Sequence, residues 1–454
     1  MITASAYKGK KVGVFGLART GVAAVRALEA SGAEVLAWDD APERQAAVGP
    51  SAHNLYDADM KTLDAVMLAP GVPLNFPTPH ALVVQCREAG TALISDFDFF
   101  EAARADMARH KIVAITGTNG KSTTTALIGH VVSESGKPAA VGGNIGRGIL
   151  SLDPLPEGGV YVFEMSSFQL DLTTGFKADV GILLNITPDH LDRHGSLEGY
   201  VAAKQRLFEQ QDASGVAVIS VDDAHGASMA ATYAGRVVPI SVEKPVAGGV
   251  YVLDGLLTDD MRGDALVVAD LRKCAPMLLG SHNWQNAAAA YAAGRSLGLE
   301  TETIISAFTS FPGLAHRQET IATIEGVRYI NDSKATNVDA ASRALKAFEN
   351  IHWIAGGRPK EKNFTLLAPL MTNVKQAYLI GEAADAIAHD VGTDVTVIDC
   401  RDMEHALECA RANASAGDVI LLSPACTAFD QFRDFENRGD VFRALVLALE
   451  GERS

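Results

Sequence analysis

Short runs of β-branched and aliphatic residues alternate along the whole chain with longer Ala- and Leu-rich stretches of helical period. That alternation predicts parallel sheets covered by helices, an α/β fold. In the first third, strands are expected at 11–15, 34–37, 65–68 and 92–94, with helices at 21–31 and 80–89 between them. A second series opens at 112–116 and continues through 160–164, 180–185 and 216–220, with a helix at 121–135. The Gly-rich stretch 236–278 reads as an antiparallel excursion, and 286–297 as a strong helix. A third series follows at 327–331, 352–356, 376–380, 395–398 and 419–422. A connecting helix over 97–109 and the Phe311-Pro312-Gly313 break divide the chain into three expected domains, 1–99, 100–313 and 314–454. The first and last have a Rossmann-like rhythm.

Composition narrows the partners. The 454 residues carry 39 basic and 55 acidic side chains, a net charge of -16, which argues against nucleic acid or an anionic membrane surface. Five scattered cysteines without CxxC spacing suggest neither a disulfide framework nor a thiolate metal site, and fit the cytoplasm. No apolar stretch reaches the ~18 residues of a membrane span, so no membrane insertion is expected.

The most informative segment is Thr116-Gly117-Thr118-Asn119-Gly120-Lys121-Ser122-Thr123, between an apolar strand and a helix. Glycines allow backbone N–H groups to turn onto phosphate oxygens, the helix N-terminus adds positive potential, the lysine reaches terminal phosphates and a hydroxyl can ligate Mg²⁺. This predicts a P-loop-type mononucleotide-binding central domain. The loop departs from the standard pattern, because Ile115 stands where a glycine is expected and Gly117 follows two positions later.

Glu164 ends the apolar run Val160-Tyr161-Val162-Phe163, at the carboxyl edge of a parallel strand where open α/β sheets bind ligands, and is a natural Mg²⁺ ligand. Asp189 and His190 follow a second apolar run and should reach the same edge. Lys204, by periodicity alone, is an ordinary solvated lysine on a helix.

These segments resemble the Mur ligases over essentially the whole chain, and within them the branch that adds D-glutamate. The match is carried by the phosphate loop, by Gly142-Gly143-Asn144, Glu164-Met165-Ser166-Ser167-Phe168-Gln169, Asp189-His190 with Asp192-Arg193, and Ala202-Ala203-Lys204. It continues in Gly280-Ser281-His282-Asn283-Trp284-Gln285-Asn286, Leu314-Ala315-His316-Arg317, Asn331-Asp332-Ser333-Lys334-Ala335-Thr336 and Ser423-Pro424-Ala425-Cys426.

The resemblance implies an ATP-dependent amide ligase that joins D-glutamate to UDP-N-acetylmuramoyl-L-alanine in cytoplasmic peptidoglycan precursor synthesis, with ATP as co-substrate and two Mg²⁺ ions; a monomer is expected. Domain 1–99 would bind the UDP substrate, 100–313 ATP, and 314–454 the amino acid while completing the nucleotide site. Lys121, Glu164, His190 and Lys204 would be catalytic. Ser122 and Glu164 would hold one Mg²⁺, and His190 with a carbamylated Lys204 the second. Gly117, Thr118, Asn119, Gly120, Lys121, Ser122, Thr123, Asn286, Arg317 and Asp332 would bind ATP. Leu17, Arg19, Thr20, Asp39, Gly71, Asn144, Ser166, Gln169 and His190 would meet the UDP substrate. Thr336, Lys360, Thr427 and Phe435 would hold D-glutamate.

Two departures stand out. Ala428 occupies the place where the family commonly has a serine expected to bind the glutamate side-chain carboxylate, so Thr427 or backbone N–H groups are expected to replace it. In Gly16-Leu17-Ala18-Arg19-Thr20-Gly21, Ala18 takes the middle position of a GxGxxG-like turn, with Asp39 and Asp40 about 20 residues on. Taken alone, that turn equally suggests a dinucleotide site; an NAD-dependent dehydrogenase, however, leaves Lys121, Glu164 and Asp332 without roles. Other ligases of the superfamily, including folylpolyglutamate synthetases, are the nearer alternative. Against them, the chain lacks an Asp-Asn-Pro-Arg signature and has Asn119 where alanine-adding ligases usually carry histidine. A binding-only nucleotide switch is the third alternative, which turnover with stoichiometric ADP would exclude.

Overall fold

Runs of β-branched and aromatic residues form strands buried on both faces, as parallel sheets covered by helices require. The computed structural model describes residues 1–275, 277–278, 280–361 and 363–451. The first four strands, Lys11–Phe15 (β1), Glu34–Trp38 (β2), Ala65–Leu68 (β3) and Ala92–Ile94 (β4), form an all-parallel sheet ordered β2-β1-β3-β4.

The second sheet contains His110–Thr116 (β5), Ala139–Gly143 (β6), Gly159–Glu164 (β7), Val180–Leu183 (β8) and Val216–Ser220 (β9). It continues with Arg236–Ser241 (β10), Val250–Leu253 (β11), Leu256–Asp259 (β12) and Leu266–Asp270 (β13), in the order β13-β12-β11-β10-β9-β8-β5-β7-β6. The expected antiparallel excursion is confined to β12 and β13; β10 and β11 extend the sheet in parallel. The reversal falls at Asp254-Gly255, a two-residue turn with both φ positive, the geometry that joins adjacent antiparallel strands. Successive strands leave β5 toward β7 and β6 on one side and from β8 toward β9 on the other. The gap between β5 and β8 is therefore a topological switch point, where the carboxyl ends of the strands open a ligand crevice.

The third sheet is built from Glu319–Ile324 (β14), Val327–Asn331 (β15), Ile351–Gly356 (β16), Val374–Ile380 (β17), Thr396–Arg401 (β18) and Val419–Leu422 (β19). Its order is β14-β15-β19-β16-β17-β18, with only β14 antiparallel. The chain divides into two compact units, Met1–Pro312 with the first two sheets and Gly313–Ser454 with the third.

In the first unit, helix Asp96–Ala103 starts with a capping box between Ser95 and Asp98 and buries Phe97 and Phe100 against β7, their rings 5.8 and 5.1 Å from Phe163. That contact fixes the first sheet against the second. On the opposite face, helix Ser281–Ser296 presents a buried alanine series, Ala287 to Ala290, whose small side chains allow close approach to β8–β11 and helix Lys121–Glu134. Among the described residues no helix is long and apolar enough to cross a membrane.

Candidate active site

The phosphate loop leaves β5 at the switch point. Gly120 has φ 83° and precedes helix Lys121–Glu134; a Cβ there would lie 2.4 Å from Asn286 Oδ1, so position 120 accepts only glycine. The Asn286 side chain is 2% exposed and its Oδ1 accepts from Thr124 Oγ1 at 3.0 Å, so it braces the first helical turn, which contains Ser122 and Thr123. Thr118 N–H donates to the Asn185 carbonyl at 2.9 Å, and the Thr118 hydroxyl lies 3.1 Å from the Tyr200 hydroxyl. Lys121 Nζ curls back onto the carbonyls of Gly117 and Thr118, both at 2.9 Å.

Lys204 is not a surface lysine. It is 1% exposed, its Nζ donates to the Gly117 carbonyl at 2.9 Å and lies 4.4 Å from the centre of the Tyr200 ring. Burial, and then repulsion by Lys121, hold its pKa well below the ordinary lysine value, with Asp189 pulling the other way.

Glu164 sits at the end of β7, in register with Ile115 of β5, and is 2% exposed. Its Oε1 accepts from Asn144 Nδ2 at 2.9 Å, whereas Oε2 is buried with no hydrogen-bond partner among the described residues. A buried carboxylate oxygen left unpaired is costly unless a cation takes it up, and a hard ion such as Mg²⁺ matches that donor. No three His, Cys, Asp or Glu side chains converge among the described residues, so an ion at Glu164 would draw its other oxygens from hydroxyls, carbonyls, phosphate or water. His190, with φ 52°, is half exposed, lies 3.4 Å from Asp189 Oδ2 and packs its ring 4.8 Å from that of Phe168.

At the first sheet, helix Arg19–Ala30 begins after Ala18 with no side-chain cap, leaving the N–H groups beside Arg19 and Thr20 open to an anion. Asp39 shapes the turn, accepting from the N–H groups of Leu17 at 2.6 Å and Ala41 at 2.9 Å. Burial raises its pKa, but these bonds and Arg44 outweigh that effect and hold the carboxyl below its usual range. Arg193 reaches across from the nine-stranded sheet and donates to the carbonyls of Gly71 at 2.8 Å and Val72 at 3.2 Å. Ser166 and Gln169 engage each other in the capping box of helix Ser167–Leu172, so they order the segment that follows Glu164.

In the second unit, Asp332 ends up buried at the edge of β15, accepting from Ser423 Oγ at 2.9 Å and Gln318 N–H at 3.2 Å. Burial lifts its carboxyl to about 7, opposed by the Ser423 and Gln318 hydrogen bonds and then by the charge of Arg317. Lys360 Nζ lies 3.3 Å from Thr336 Oγ1, and Lys334 Nζ lies 3.6 Å from the centre of the Phe435 ring. Thr427 is buried and its hydroxyl donates to the Arg358 carbonyl at 2.9 Å, which leaves that proton unavailable to a carboxylate.

Sequence reasoning missed Arg438. It is fully buried and donates to Ser333 Oγ and to the carbonyls of Ser333, Cys426 and Thr427 at 2.8–3.2 Å, tying together two loops with candidate site residues. Burial lowers its pKa to about 10. Its helix, Phe435–Gly451, offered no local signal for a buried cation.

Two family models match the chain: the Mur ligase middle domain over residues 115–294 and the Mur ligase, glutamate ligase domain over residues 316–426. The UDP-N-acetylmuramoylalanine--D-glutamate ligase of Phenylobacterium zucineum (strain HLK1) is 49% identical over 99% of this chain and 98% of its own. The protein of that name from Rhodospirillum rubrum is 45% identical over 99% and 96%. Among solved structures, UDP-N-acetylmuramate-alanine ligase from Thermotoga maritima matches with a TM-score of 0.58 at 20% identity, covering 97% of this chain and 99% of its own. That likeness is one of fold.

Proposed function

The chain belongs to the Mur ligase family, and from that premise we propose that it adds D-glutamate to UDP-N-acetylmuramoyl-L-alanine, with ATP as the driving co-substrate. It is an ATP-dependent acid–amino-acid ligase of peptidoglycan precursor synthesis. The observation that carries the mechanism is the convergence of Lys121 and Lys204 on the Gly117 carbonyl at the switch point, with Glu164 one strand away.

A carboxylate is a poor acyl donor. In the proposed reaction an oxygen of the muramoyl-alanine carboxylate attacks the γ-phosphorus of ATP, ADP leaves and an acyl phosphate forms. The uncharged amine of D-glutamate then attacks the acyl carbon, the tetrahedral intermediate collapses, phosphate departs and the nitrogen loses a proton. Negative charge grows on oxygens in both steps, and catalysis lies chiefly in positioning and electrostatic stabilisation. Lys121 and the N–H groups of the loop would neutralise the phosphoryl oxygens. Ser122 and Glu164 would hold one Mg²⁺, and His190 with a carbamate on Lys204 the second. Bound there, the ions supply Lewis-acid neutralisation of phosphoryl and acyl oxygens. A carbamate forms when the uncharged Lys204 amine adds to CO₂ and releases a proton, giving the oxygen donor that an amine cannot offer Mg²⁺.

The three sheets would divide the labour as domains 1–99, 100–313 and 314–454. The uncapped helix start at Arg19 and Thr20, with Leu17, Asp39 and Gly71, would receive the uridine diphosphate, and Asn144, Ser166, Gln169 and His190 the muramoyl end. Asn286, Arg317 and Asp332 would complete the ATP site. Thr336, Lys360, Phe435 and the backbone beside Thr427 would hold D-glutamate. A monomer working in the cytoplasm fits these substrates. Phosphate release measured with ATP, Mg²⁺, the UDP substrate and a panel of amino acids tests the reading. Release should require D-glutamate and vanish in Lys121→Ala; release driven by another amino acid overturns it.

A further inference from the structure

Helix Ser281–Ser296 touches the phosphate loop through two consecutive amides. Asn286 braces Gly120 and Thr124, as described above. Gln285 acts at longer range: its Nε2 donates to Ser220 Oγ at 3.0 Å, and its Oε1 accepts from Asn185 Nδ2 at 2.8 Å. Asn185 in turn grips the backbone of Asn119 at both ends, its Oδ1 accepting from the Asn119 N–H at 2.8 Å and its Nδ2 donating to the Asn119 carbonyl at 3.3 Å. The relay joins the ends of β9, β8 and β5 to one helix.

The direction of the hydrogen bonds leaves little freedom. Flipping the Gln285 amide would set its NH₂ against the NH₂ of Asn185, and flipping Asn185 would set donor against donor at the Asn119 N–H. The anchor is rigid, since Ser220 is fully buried, and the Asn185 segment is pinned just downstream where Ile186 N–H donates to Asp223 Oδ2 at 3.0 Å. The loop needs an external splint. Ile115 stands where a phosphate loop ordinarily has its first glycine, and three of the five residues from Thr116 to Gly120 carry side chains. Lys121 Nζ holds the carbonyl of the Thr118–Asn119 peptide from one side, Asn185 holds the N–H of that peptide and the carbonyl of the next, and those planes aim the following N–H groups at phosphate.

We infer that Gln285, acting through Asn185, is a positioning residue that holds the Asn119 peptide in its phosphate-binding orientation. The inference rests on the reading of this loop as the ATP site. Both polar atoms of the Gln285 amide are committed to Ser220 and Asn185, so its removal weakens nucleotide binding through Asn185 and leaves the other substrate sites alone.

A double-mutant cycle tests this, with Kd for the Mg²⁺ complex of a non-hydrolysable ATP analogue measured by calorimetry on the full chain. Gln285→Met, of similar shape, should weaken analogue binding about fivefold, and Asn185→Ala about tenfold. The double variant should be no weaker than Asn185→Ala alone, since the bond counted in both is the same. Binding of the UDP substrate should stay at the wild-type Kd in Gln285→Met and report that the variant is folded. In steady state, Gln285→Met should raise KM for ATP with kcat unchanged. Wild-type analogue affinity in Gln285→Met, or losses that multiply in the double variant, would overturn the inference. Failure of the wild-type chain to bind the analogue at all overturns the ATP reading beneath it.

Discussion

Lys121 and Lys204 donate to one and the same oxygen, the Gly117 carbonyl, each from 2.9 Å. Two ammonium groups on a single neutral acceptor repel each other. The buried partner, Lys204, yields, its pKa driven down first by burial and then by Lys121. An amine held toward its uncharged form is the nucleophile that carbamylation by CO₂ requires. The sequence offers no local hint of this, because Lys204 sits on helix Leu197–Glu209 with polar neighbours Gln205 and Arg206.

Replacing Lys204 by alanine should lower kcat at least ~100-fold, the scale of losing one preorganised charge-stabilising group. Millimolar formate or acetate should restore part of the activity by supplying the missing carboxylate-like oxygen. A phosphate-release assay across a formate titration checks this; wild-type activity in Lys204→Ala removes the carbamate from the mechanism.

Gly143 ends β6 with φ 99°, and a Cβ there would sit 2.3 Å from the Glu164 carbonyl. Gly143→Ala should therefore cost about 1–3 kcal/mol of stability. It should also raise the Mg²⁺ concentration needed for half-maximal activity, because the same strand end presents Asn144 to Glu164. Urea unfolding and a Mg²⁺ titration read the two effects; an unchanged unfolding midpoint contradicts the packing.

The pH dependence of the second unit follows from Asp332. Burial raises its folded pKa to about 7 from 3.8. Between these values the folded state holds a proton that the unfolded state has released, so stability is full below 3.8 and falls as pH rises toward 7. Asp332→Asn avoids that loss. Its thermal midpoint should exceed wild type at pH 8, by a margin that shrinks toward pH 4, while its activity falls. A margin that is the same at both pH values refutes the assignment.

The Thr427 hydroxyl is committed to the Arg358 carbonyl. Thr427→Ala should leave KM for D-glutamate within about threefold of wild type and cost roughly 1 kcal/mol of stability, the net worth of one hydrogen bond. A tenfold rise in that KM would mean that the hydroxyl itself receives the substrate carboxylate.

Much of the fold was legible from local pattern. Strands Lys11–Phe15, Ala65–Leu68, Val216–Ser220, Val327–Asn331 and Val419–Leu422 fall where β-branched runs predict them. Ala139–Gly143 was missed because alanine and glycine carry little strand preference; its place is set by pairing with β7. The strand expected over 180–185 stops at Leu183, since Leu184 and Asn185 turn away toward the phosphate loop. The phosphate loop and Glu164 announce themselves through strand-edge position. Asn185, Gln285 and Arg438 do not, because each acts through partners distant in sequence and nothing in their neighbours marks them out.

The central claim, amide formation through an acyl phosphate, is tested most directly by following one oxygen atom. UDP-N-acetylmuramoyl-L-alanine labelled with ¹⁸O in its carboxylate is incubated with ATP, Mg²⁺, D-glutamate and the enzyme, and the released phosphate is weighed by mass spectrometry. The account predicts one labelled oxygen from the carboxylate in each phosphate released. Phosphate without label, formed alongside the amide product, would contradict it.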